Sequence, residues 1–417
     1  MNRILCALKW KKAGLILGGS SLLLCLNAAA SLAQTSTPRS YVYVESNIGV
    51  PGGNSVLGFL RDNQGSLTPL KGSPYLTGGT GVFDLSLALG PFDSDQSVVT
   101  DMAGKRLFAV NSGSNSIAEY NIQADGSLLP VQGSPFDSGG IEPVSIGLAG
   151  KNVLVVNKDM DPAQNSMQSL PNYTAFHLLP DGTLWPAIGG SAPVALGSSP
   201  SQALVSPDNR FLFGADFMGG LLQSFRINNG RLSMNIPTAL PESQFIGSGA
   251  PHWPLGLAVN PQNPALYVGF VTINRIGVYW YDQTGKLSFA NSVPDSGVAV
   301  CWLLCNSAGT RLYAVNTGDN SLSVFDISDP LFPNEIQKLT LKGNGSPFQE
   351  SLDPDGGFLY VVSQRAGSST PLGEGSSIHV LRIGKNGKLH EVNSSPTMLL
   401  LPSGTRPQGI ASAAAGN

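Results

Sequence analysis

One phrase of seventeen residues, RLYAVNTGDNSLSVFDI at 311–327, constrains this chain more than any single side chain does, because it keeps coming back. Leu312 and Ala314 alternate with Tyr313 and Val315, a polar turn follows, and residues 322–327 alternate again, the period-two pattern of half-buried β-structure. RLFAVNSGSNSIAEYNI at 106–122 repeats it almost letter for letter, and looser copies lie at 153–156, 211–227, 266–281 and 358–383, with a first copy starting at Tyr41. A unit this small cannot bury its own apolar faces, so the copies must stack on one another.

Aligned on their second strand, the copies place Glu45, Asn111, Asn157, Asp216, Phe270, Asn316 and Ser363 at one equivalent position, which makes seven units. Most continue into a tight turn before leucine, as in Asp125-Gly126-Ser127-Leu128 and Asn386-Gly387-Lys388-Leu389, where Asx-Gly supplies the positive φ of a hairpin. The sixth unit departs, with Ser328-Asp329-Pro330 in that place. A further strand precedes each unit, so each is a four-stranded meander. Seven of these suit an all-β, seven-bladed β-propeller. The first copy lacks an inner strand, while residues 406–411 (RPQGIA) form an inner strand with no blade after it. The C-terminal strand is therefore expected to join the first blade and hide both edges.

Residues 1–33 read as a secretory signal peptide: Arg3, Lys9, Lys11 and Lys12 precede an apolar run at 13–30, and Ser31-Leu32-Ala33 offers small residues for cleavage. An uncleaved anchor is the alternative, since the apolar run is just long enough to span a bilayer. Residues 34–417 are then expected to form one exported domain, periplasmic or extracellular, monomeric and without stable membrane insertion once the signal is removed. Its 50 glycines and 30 prolines are spread along the chain, which means many turns. Charged residues make up 12% and the net charge is −3, so no basic stripe exists to grip nucleic acid.

Cys301 and Cys305 remain after the signal. On one extended strand their Cα atoms would stand ~13 Å apart, too far for a disulfide, and they read as core thiols. No metal or cofactor is expected: zinc spacing is absent, and Asp159 with Asp161 lacks the further oxygens calcium needs. There is no Gly-x-Ser-x-Gly elbow, His-Glu-x-x-His or phosphate-binding loop either.

The blade phrase, LYAVN then NSLSVFDI then an Asx-Gly-x-Leu turn, resembles the seven-bladed propellers that include bacterial 6-phosphogluconolactonases and fungal carboxymuconate lactonising enzymes, and the related YVTN-repeat surface proteins. The resemblance implies a lactone-hydrolysing activity carried by a His, an Arg and a Glu on the inner part of the ring. Here Ser201 stands in place of the His, Leu255 in place of the Arg, and 269–271 reads Gly-Phe-Val without the Glu. The acid–base set of the resemblance is missing, and fold likeness alone does not carry a function.

Topology indicates one face for a site: inner-strand starts, second-strand ends and crossovers between blades all meet there. At that channel mouth the sequence places Glu142, Ser201, Gln202, His252, Trp253, Gln349, Glu350, Arg406 and Gln408. Trp253 offers a stacking surface and Arg406 an anion clamp, with Ser201, Gln202, Gln349 and Gln408 as polar contacts. His252 with Glu142 or Glu350 is the candidate base and orienter. His177, His379 and His390 read as structural. The expected function is a binding scaffold for a small polar ligand, a glycan or a protein, with a lactone hydrolase or another hydrolase of relocated site as the alternative.

Overall fold

The computed structural model describes residues 39–82, 93–161, 169–245 and 253–415. The segment read as a signal peptide and His252 lie outside them. Seven antiparallel sheets follow one another along the chain, each a meander of four strands, and together they form a seven-bladed propeller. The only helical elements among the described residues are four short 3₁₀ turns, and no helix there is long and apolar enough to cross a membrane.

The second strands end where the repeat alignment placed them, at Glu45, Asn111, Asn157, Asp216, Phe270, Asn316 and Ser363. The half-buried reading needs correction, however. Along Arg311–Asn316 every residue after Arg311 is buried, on both faces of the sheet. Leu312 and Ala314 pack with Ala265, Tyr267 and Ile276 of the fifth blade, whereas Tyr313 and Val315 share a cluster with Phe348, Tyr360 and Val362 of the seventh. Alternation here sorts side chains between two neighbouring blades rather than between core and water. Each buried Val or Leu contributes about 1.5–3 kcal/mol, so nearly all of a blade's apolar stabilisation comes from its neighbours.

The Asx-Gly turns supply a second, polar latch between blades. Tyr43 in blade one donates its hydroxyl to the Gly126 carbonyl of blade two (2.8 Å), and Arg311 in blade six donates to the Asn386 carbonyl of blade seven (3.1 Å). Gly126 has φ +81°, and a Cβ there would come 2.4 Å from the Tyr41 ring, so only glycine fits. In blade six, which lacks the turn, the Pro330 carbonyl takes over and accepts from Tyr267 (3.0 Å).

Ring closure follows the expectation drawn from the orphan strand. Gln408–Ala414 pairs antiparallel with Ser40–Glu45, Tyr41 opposite Ala413, and a bulge falls between Val44 and Glu45. Across the seam, the fully buried Arg61 bonds Asp353 at 2.8 Å and lies 4.3 Å over the Phe358 ring, while Tyr360 donates to Asp353 at 2.5 Å. Cys301 and Cys305 are free thiols on the inner strand Val300–Cys305, and burial pushes the Cys301 thiol up to about 12.

Candidate functional site

The channel has two unlike ends. Crossovers enter at inner-strand starts, the end where the sequence places its candidate residues, and there residues 93–97 lie against the inner strands of several blades. The Asp95 amide donates to the Ser201 carbonyl (3.1 Å), Ile146 donates to the Gln96 carbonyl (2.9 Å) and Val110 to the Ser97 carbonyl (3.0 Å). Ser94 donates to Gln408 Oε1 (3.2 Å), and Gln349 Nε2 reaches both the Ser94 carbonyl and Ser97 Oγ. Lys158, buried to 0% exposure, donates its Nζ to the Asp93 carbonyl at 2.6 Å. One short segment is thus tied to blades one, two, three, four and seven.

That segment decides what the candidate residues can do. Ser201, Gln202, Gln349, Arg406 and Gln408 are all buried. Ser201 Oγ is directed at the Ala215 and Leu255 carbonyls, and Gln202 exchanges hydrogen bonds with the Leu257 backbone (2.8 and 3.1 Å). Arg406 gives Nε to Gln364 (2.7 Å) and places its guanidinium 5.4 Å from the Phe348 ring centre. Trp253 is half-buried and packs on Phe217 with ring centres 4.9 Å apart. These groups join one buried network instead of rimming a wet mouth.

Glu142 and Glu350 are not brought together. Glu142 adopts φ +59° and accepts the amides of Met160 and Asp161 (2.6 and 2.7 Å), so it braces the loop that follows the second strand of blade three. Burial raises its carboxyl above the usual carboxylate range and lowers the Lys158 ammonium beside it, although the two attract each other. His379, one of the histidines read as structural, shares a 2.7 Å hydrogen bond with Glu391 inside blade seven.

Glu350 belongs to the other end. There the inner strands finish, and a cavity of about 610 Å³ opens between every blade but the third, rimmed by exposed Met102, Pro207 and Ser307. Its walls are apolar, with Leu204, Leu257, Leu303 and Ile410 among them, and its inner end carries Asp95, Gln96, Gln202 and Glu350. Neither carboxyl oxygen of Glu350 has a hydrogen-bond partner among the described residues. Burial, with Asp95 adding like charge, holds the Glu350 carboxyl well above its ordinary range; burial likewise pushes Asp95 up to about 7. Asp95, Gln96 and Lys158 are polar residues of the channel that the sequence reading passed over. Their trace was present, as a polar run DSDQS directly before the inner strand at Val98 and as a lysine directly after the blade-three strand end.

No protein-family model matches the chain, and no curated protein does. Solved structures do. A candidate 6-phosphogluconolactonase from Bacteroides uniformis superposes with a TM-score of 0.67 at 16% identity, covering 90% of this chain and 100% of its own. The periplasmic gluconolactonase of Pseudomonas aeruginosa gives 0.64 at 15% identity, over 90% and 99%. A hypothetical selenium-binding protein from Sulfolobus tokodaii gives 0.61 at 11%, over 92% and 96%. Shared identity this low speaks for architecture alone, and what this chain has in common with the 6-phosphogluconolactonase-like propellers is the seven-bladed ring itself.

Proposed function

We propose that this protein is an exported binding propeller and that its ligand occupies the 610 Å³ cavity at the open end of the channel. The carrying observation is the contrast in that cavity between apolar walls and a buried, unpartnered carboxyl at Glu350. Its volume lies in the range of small-molecule sites, and its few polar groups converge at the inner end. A phosphorylated or carboxylated lactone would need cationic partners, yet no Lys, Arg or His is among the described lining residues. At the opposite end Ser201, Gln349 and Arg406 direct hydrogen bonds to backbone carbonyls and to the side chains of Ser97 and Gln364. Export rests on the signal-like pattern of residues 1–33, and the Pseudomonas aeruginosa neighbour is described as periplasmic.

The test pairs turnover with binding. Purified protein is expected to open a panel of sugar and aromatic-acid lactones no faster than buffer does. In a thermal-shift screen of small molecules, hits should stabilise the parent protein and lose that effect in Leu304→Trp, which sets a bulkier ring on the cavity wall. Lactone turnover abolished by Glu350→Gln or Arg406→Ala would establish a hydrolase and overturn the binding reading.

A further inference from the structure

We propose that the cavity selects organic ammonium ions carried on an apolar body, with the carboxyl groups of Glu350 and Asp95 as the floor that receives the nitrogen. This deepens the binding reading above and rests on it. The residues lining the cavity include three carboxylates, Asp95, Asp101 and Glu350, and no described cation opposes them. Glu350 is 8% exposed and Asp95 9%, so both lie where an ion pair is weakly screened.

Buried polar atoms are almost always hydrogen-bonded, which makes two bare oxygens on one carboxyl a position waiting for donors. An ammonium group offers up to three donors and a full charge, whereas an alcohol offers one donor and none. The Gln202 amide does not compete for Glu350: its Nε2 is engaged with Gln96 Oε1 (3.1 Å) and the Leu257 carbonyl (3.1 Å) and faces Asp95 Oδ2 at 3.4 Å, so of the two floor carboxyls only that of Glu350 is bare. A hard divalent cation fits less well, because it takes six to eight oxygens and no cluster of three His, Cys, Asp or Glu side chains occurs among the described residues. Beyond the floor, Leu204, Leu257, Leu303 and Ile410 make the walls mainly apolar, with Thr100, Ser351 and Ser412 among them, which favours a largely hydrocarbon body for the ligand.

Calorimetric titration at pH 8 with n-hexylammonium, 1-hexanol and hexanoate separates charge from shape. The ammonium should bind at least about tenfold tighter than the alcohol, and the carboxylate weaker still. Shortening hexyl to butyl should weaken binding about fourfold per methylene. Glu350→Gln should cost the ammonium about tenfold and leave the alcohol unchanged. Each variant is checked first for native near-ultraviolet dichroism, and selectivity of the unaltered protein tests the proposal without any variant. The inference is overturned by equal binding of ammonium and alcohol, by preference for hexanoate, by full ammonium affinity in Glu350→Gln, by displacement with calcium, or by no ammonium binding at all. Equal binding that Leu304→Trp removes would overturn the charge preference and leave the cavity reading standing. Binding of all three that Leu304→Trp does not alter would take down both.

Discussion

At the end of the channel where crossovers enter, residues 93–97 bond to five blades and the surrounding polar side chains spend their hydrogen bonds on one another. At the other end, inner strands stop short of meeting and leave an apolar cavity with a bare carboxyl at its floor. Six of the seven inner strands, all but that of blade three, line the open end. What differs is that a crossing segment ties the blades together at one end, whereas at the other only short hydroxyl bonds such as Thr100 to the Ser412 carbonyl and Ser412 to the Leu352 carbonyl join neighbouring strands. Positions at the closed end are therefore bound to stability, while those at the open end can vary with a ligand at little structural cost.

Substitutions can break that contrast, and they rank by how deeply each side chain is committed. Lys158→Met leaves the Asp93 carbonyl and the buried Glu142 without their cation, and should cost about 4 kcal/mol in urea unfolding. Next comes Asp95, which belongs to both ends. Its carboxyl is raised to about 7, so the stability of its neutral form is complete below its ordinary value of 3.8 and is lost as pH rises through 7. Asp95→Asn should match the parent protein at pH 4 and exceed it by about 4 kcal/mol at pH 8, read as a widening gap in melting temperature. Gln349→Leu removes the bonds to Ser94 and Ser97 and should cost about 2 kcal/mol. Hydrogen exchange at the amides of Asp95, Val110 and Ile146 should quicken with it. Smallest is Met102→Ser on the fully exposed rim of the cavity, expected to change stability by less than about 0.5 kcal/mol. A large loss there would show the open end to be structural after all.

The ring could be read from sequence because its determinants are local. A second strand ending at Asn316 or Ser363 is announced by alternation and by the turn residues that follow, and the closing strand by a count of inner strands. Side-chain burial was less legible, since alternation looks the same whether the second face meets water or another blade. The open end of the channel was not legible at all. It depends on the path of residues 93–97, and nothing in DSDQS says that its amides will find Ser201 and its carbonyls Ile146 and Val110. The sequence places Glu350 at the crossover face as a possible partner for His252, whereas in the fold it lines the inner end of the cavity, because inner-strand residues are located in sequence by position and not by direction.

The closing strand also governs the order in which the molecule can be made. Tyr41 waits for Ala413, so a ribosome releases six blades' worth of chain before the first blade can gain its inner strand. Until then Ser40–Glu45 keeps one bare edge, its tyrosines packed on Val56, Leu107 and Tyr120 and bonded to the blade-two turn. Anything that binds that edge during synthesis competes with the last strand to emerge, and a chain whose last strand is late stays unlocked for most of its production.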